Sequence, residues 1–87
     1  MSIYDAVSIL RTGLNNCSYE FGSSSYQDRC EGISVSGSGS TIYVVIKMRV
    51  ADPYYEDEVQ NNIVGIINSL RYQYEIPYQI EYEIQWY

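Results

Sequence analysis

The chain has 87 residues, 46% of them hydrophobic, a formal net charge of −6, no histidine and eleven tyrosines. That length supports one domain, residues 1–87, with a thin core, because two halves would each bury too little surface. The missing histidine excludes a Ser-His-Asp triad, a His general base and a His-ligated metal, and a pI near 4.3 speaks against ordinary nucleic-acid backbone binding, which needs Lys and Arg to displace counterions.

Met1 to Leu10 lack the basic stretch and long apolar run of a signal peptide. No apolar run approaches the ~18–20 residues of a membrane span. The expectation is a chain that is cytoplasmic at synthesis, with no membrane partner. Ser2 followed by Asp5 reads as a capping box, and Ile3, Ala6, Val7, Leu10 and Leu14 recur at helical spacing behind it. Gly13 and Asn15-Asn16 end that helix. Cys17, Tyr19 and Phe21 alternate with Ser18 and Glu20 as a short strand, followed by a turn at Gly22 to Ser25. Tyr26 to Gly32 are polar and irregular.

Ile33 and Val35 begin the next strand, and Gly37-Ser38-Gly39-Ser40 has the composition of a hairpin loop. From Thr41 to Ala51 the alternation is clear. Ile42, Val44, Ile46, Met48 and Val50 form one apolar face that must meet the core. Thr41, Tyr43, Val45, Lys47 and Arg49 form a mixed face suited to water or a neighbouring subunit. Asp52-Pro53 starts a second helix, with Asp at the N-cap and Pro first in the helix. Glu56, Asp57 and Glu58 fall in or near its first turn, where the helix dipole favours negative charge. Val59, Ile63, Ile66, Ile67, Leu70 and Tyr74 form its buried stripe, and Pro77 prevents continuation. Tyr78, Ile80, Tyr82, Ile84 and Trp86 then alternate with Gln79, Glu81, Glu83 and Gln85 in a last strand.

One apolar stripe on each helix and one apolar face on each strong strand predict an α/β (α+β) two-layer sandwich. Two helices lie on one face of a small mixed sheet, in the order α-β-β-β-α-β. The strand–helix–strand unit from Thr41 to Trp86 predicts two parallel strands joined by a right-handed crossover. As neighbours, those strands would let Lys47 and Arg49 pair with Glu81 and Glu83 across the open face.

Little in the chain suggests catalysis. Residues on consecutive helix positions point about 100° apart, so Glu56, Asp57 and Glu58 do not converge on one cation. Glu81 and Glu83 share a strand face with nothing apolar to raise a pKa. The Gly37 to Ser40 loop lacks the Gly-Lys-Ser/Thr ending of a phosphate loop. Cys17 and Cys30, separated by twelve residues, are not at metal-ligand spacing and read as two reduced thiols, with a disulfide the minor alternative in an oxidising medium. Neither an enzyme nor a cofactor or metal is expected.

Charge and tyrosine carry the functional signal. Residues 1–49 hold four acids and four bases, whereas residues 50–87 hold seven acids and one base, Arg71, so the whole net charge lies in the second part. Tyr19, Tyr43, Tyr74, Tyr78 and Tyr82 fall where they can pack. Tyr4, Tyr26, Tyr54, Tyr55, Tyr72 and Tyr87 have no evident buried place, and tyrosine is enriched at interface cores. A partner surface of Tyr54, Tyr55, Glu56, Asp57, Glu58, Glu81, Glu83 and Tyr87 follows as the candidate.

Three stretches, "SIYDAVSILRTGL", "TIYVVIKMRVADPYYEDEVQNNIVGIINSL" and "YQIEYEIQWY", give an arrangement that resembles bacteriophage tail terminator or tail-completion (neck) proteins. They cover about three fifths of the chain. The resemblance implies a viral structural subunit that forms a ring on a tail tube and a place in the virion, and it transfers no functional residue. The expected function is a non-enzymatic protein-interaction and assembly module whose partner is another protein or, as a homo-oligomer, itself, without direct nucleic-acid binding. The alternative is a small acidic inhibitor, of anti-CRISPR or anti-restriction type, that mimics nucleic acid to block a DNA- or RNA-binding enzyme.

Overall fold

The computed structural model describes residues 1–25 and 27–87. Helix α1 (Ile3–Asn16) leads through a 3-10 turn (Ser18–Glu20) to strand β1 (Arg29–Ser38). Strand β2 (Thr41–Arg49), a 3-10 turn (Pro53–Tyr55), helix α2 (Glu56–Gln73) and strand β3 (Gln79–Trp86) follow. The sheet order is β1-β2-β3, with β1 antiparallel and β3 parallel to the central β2. The predicted sandwich is present, with three strands in a mixed sheet.

Local chemistry explains each element. Ser2 caps α1, its hydroxyl accepting from the Asp5 N–H at 3.1 Å. Ala6, Val7, Leu10 and Leu14 are the buried stripe of that helix. Val59, Ile63, Ile67 and Leu70 are that of α2. Both stripes meet the alternate residues Ile42, Val44, Ile46 and Met48 of β2, all essentially inaccessible. Ile80, Ile84 and Trp86 of β3 pack against this core while half-buried, as the apolar residues of an edge strand do. The side chains of Ile33 and Val35 on β1 share the same face, opposite Ile46 and Val44.

Two close approaches fix the layers. A Cβ built on Gly13 of α1 would lie 2.7 Å from Leu70 of α2, so the missing side chain lets the helices touch. A Cβ on Gly37 would lie 2.9 Å from Ile3 and 3.1 Å from Val7, so α1 rests directly on the backbone of β1.

Several expectations need correction. Cys17 to Phe21 are not a strand. The N–H of Glu20 bonds to the Cys17 carbonyl and that of Phe21 to Ser18, closing a helical turn in place of a ladder. A brief alternation becomes a strand only with a neighbour to pair with, and none lies alongside among the described residues. Phe21 is nonetheless fully buried, while Tyr19 is 82% exposed. Strand β1 starts at Arg29, inside the stretch read as irregular, because a bulge between Cys30 and Gly32 hides the alternation. The hairpin loop is only Gly39-Ser40, between the paired Ser38 and Thr41. Gly39 has φ +64° at its first central position, the pattern a type II′ turn requires.

Asp52 does cap, accepting from the Tyr54 N–H at 3.0 Å, but a 3-10 turn intervenes before α2. Tyr74 is 43% exposed and outside the buried stripe. It falls at the C-cap of α2, where the Ile76 N–H bonds to the Arg71 carbonyl and the Glu75 N–H to Tyr72. This is a Schellman ending, and the buried Ile76 takes the core position beyond it. Glu75 occupies the left-handed conformation, φ 51°, that such an ending usually assigns to glycine. The placement of Tyr26 lies outside the described residues.

Candidate functional site

Both helices pack on the face of the sheet that carries Ile42, Val44, Ile46 and Met48. Among the described residues the opposite face has no covering layer. Strand register arranges it in rows across β1, β2 and β3. Ser38, Thr41 and Gln79 form the first row, and Ser36, Tyr43 and Glu81 the second. Ser34, Val45 and Glu83 form the third, and Gly32, Lys47 and Gln85 the fourth. Arg29 and Arg49 form the last, with Tyr87 beside Arg49, its N–H bonded to the Met48 carbonyl at 2.9 Å.

The face is divided by charge. Glu81 and Glu83 stand together on β3, each accepting from a flanking amide: Gln79 Nε2 to Glu81 Oε1 at 3.3 Å, and Gln85 Nε2 to Glu83 Oε2 at 3.1 Å. Further along the strands lie Lys47, Arg29 and Arg49, three of the five basic residues in the chain. One carboxylate serves the two guanidiniums, with Glu31 Oε1 2.8 Å from Arg29 Nε and 3.2 Å from Arg49 Nε. Among the described residues Lys47 has no ion pair. Tyr43 and Val45 lie on β2 beside Glu81 and Glu83, and Lys47 and Arg49 follow them along the same strand.

The expected pairing of Lys47 and Arg49 with Glu81 and Glu83 is absent. The parallel register places Gln85 beside Lys47 and sets Glu81 and Glu83 beside Tyr43 and Val45. The two strands are parallel neighbours, but the two charge groups are offset along them. Basic and acidic side chains are therefore left as separate zones.

The other candidate residues lie elsewhere. Tyr54 and Tyr55 form the 3-10 turn before α2, with ring centroids 5.2 Å apart and edge-to-face. Tyr54 is 83% exposed, whereas Tyr55 packs partly against the core. Glu56, Asp57 and Glu58 form the first turn of α2, in the helical layer. Glu81 and Glu83 project from the opposite side of the sheet. The five acidic candidates thus occupy two faces of the molecule, and only Tyr87 joins Glu81 and Glu83 on the open one. Tyr43, Val45, Lys47, Arg49, Arg29 and Glu31 complete that surface. Their signal was the mixed face of β2, where a valine stands among polar residues.

Cys17 and Cys30 are free and half-buried. Burial pushes the Cys30 thiol pKa above its usual value, and the neighbouring Glu31 carboxylate adds to this. Among the described residues no helix is long and apolar enough to cross a membrane. No protein-family model matches the chain, and no curated protein or solved structure matches it either.

Proposed function

We propose that this chain is a non-enzymatic assembly module that binds protein, its own copies included, through the open face of its sheet. The observation that carries this reading is a sheet face that no other described element covers, where Tyr43 and Val45 stand beside Glu81 and Glu83 while Lys47, Arg29 and Arg49 lie further along the strands. A sheet face with both an apolar centre and ordered charges has the composition of an interface with a polar rim. In its finer form the module is a phage structural subunit of the tail or neck type. The three resembling stretches support that form, and they correspond here to α1, β2 with α2, and β3.

Phosphate mimicry draws less support, since it needs carboxylates arrayed on one surface and the two acidic groups stand on opposite faces. Light scattering on the pure protein, over a series from micromolar to millimolar, tests the assembly reading. A mass that rises from the 10.1 kDa monomer to a discrete oligomer is expected. A monomer at every concentration that binds a nucleic-acid enzyme, and loses binding when Glu56, Asp57 and Glu58 become Gln, Asn and Gln, overturns it.

A further inference from the structure

We infer that the open face mates with the same face of a second copy, in a two-fold dimer whose charge zones interlock. This rests on the assembly reading and names its interface. In a closed two-fold contact the same patch must be complementary to itself. The row order supplies that property. A two-fold axis lying across the strands, between Val45 and Lys47, exchanges the third row with the fourth and the second with the last. Glu83 of each copy then faces Lys47 of the other, and Glu81 faces Arg49. Tyr43 comes over Arg49, where a guanidinium stacks favourably on an aromatic face. The two carboxylate pairs, β3 to β2, are offset by one strand spacing, about 4.8 Å, across layers about 10 Å apart, whereas Tyr43 and Arg49 share β2 and are directly opposed. Side chains of these lengths span that gap.

Edge pairing between copies is less favourable. The Gln79 and Tyr87 N–H groups point to β2, so the even-numbered residues of β3 turn their N–H and C=O groups outward. Antiparallel pairing of two β3 edges about Tyr82 would set Glu81 opposite Glu83 twice, and like charges directly opposite are destabilising. On β1, the outward Val35 carbonyl already accepts from Arg11 Nη2 at 2.8 Å. The open face spans three strands and about nine residues, roughly 14 by 28 Å. That is small beside the ~800 Å² per partner of a standard interface, so the dimer belongs to the weak, concentration-dependent class.

Charge reversal tests the inference. One variant carries Lys47→Glu with Arg49→Glu, and a second carries Glu81→Lys with Glu83→Lys. All four positions are exposed, and circular dichroism checks that both variants fold. Sedimentation velocity at millimolar concentration is expected to show a dimer for the unmodified chain and a monomer for each variant alone. An equimolar mixture of the two is expected to regain the dimer, because every reversed charge meets a reversed partner. If the unmodified chain associates and both variants associate equally well, the interface lies elsewhere and the inference falls while the assembly reading stands. If the unmodified chain stays monomeric, self-assembly and this interface fall together.

Discussion

Arg11 of α1 reaches the outer edge of β1 and donates from Nη2 to the Val35 carbonyl at 2.8 Å. The contact ties helix to sheet across 24 positions of sequence and occupies one of the acceptors that an edge strand presents to other chains. A charged donor on a part-buried carbonyl is worth about 1.5–3 kcal/mol; solvent access at this edge places it at the lower end. Arg11→Ala is expected to lower the urea midpoint accordingly at unchanged slope. An unchanged midpoint would mean that the contact contributes nothing.

Glycines at different places should respond oppositely to alanine. Gly65 lies on the exposed side of α2, with open space where a Cβ would go, and Gly65→Ala should stabilise by about 0.8–1 kcal/mol through helix propensity. Gly37→Ala forces the new methyl against Ile3 and Val7 at 2.9–3.1 Å and should destabilise by about 1–3 kcal/mol, the usual cost of overpacking. Parallel thermal melts of the two variants check both signs.

Glu75 carries a side chain through a conformation that costs an L-residue about 1–2 kcal/mol. Glu75→Gly relieves that strain, less the added freedom of glycine in the unfolded chain. A net gain of about 1 kcal/mol would raise the melting temperature by about 4–8 °C for a domain this size. Glu75→Ala keeps the strain and should leave the melting temperature within about two degrees of the parent. Equal shifts for Gly and Ala would rule out strain as the cause.

Burial raises the Cys30 pKa, so its thiolate forms at higher pH in the folded chain than in the unfolded one. Alkylation by iodoacetamide, followed by mass spectrometry across pH, should show Cys30 lagging in the folded protein and reverting to ordinary behaviour in urea. The linkage sign follows. Between the unfolded and folded pKa values the folded chain holds the extra proton, so this group's contribution to stability falls as pH rises through that interval. Identical alkylation profiles in both states would contradict the raised value.

Elements with long, faultless periodicity were legible in the sequence. β2 shows its two faces residue by residue, α1 shows its capping serine, and the parallel β2–β3 pairing follows from the crossover rule. What escaped was set by partners distant in the chain. Phe21 looks like a strand residue locally, yet it is an anchor whose carbonyl, with that of Gly22, accepts from Asn62 Nδ2 on α2 at 3.3 and 3.0 Å. The bulge at Cys30 to Gly32 falls where Glu31 meets both Arg29 and Arg49, a meeting across strands that no local pattern encodes. The candidate surface was half legible for the same reason. Glu81 and Glu83 were recognisable as one face of a strand, but only the β2–β3 register places them beside Tyr43 and Val45 and away from the acidic turn of α2.

The separation of charge along the open face also bears on how fast two molecules meet. Acidic residues toward one end and basic residues toward the other give each copy an electrical orientation along its strands. Approaching copies are turned head to tail before any side chain touches, because the fields act over about a Debye length. Added salt screens this alignment together with the repulsion between two copies of net charge −6, so it should loosen the orientation of the encounter without simply slowing it.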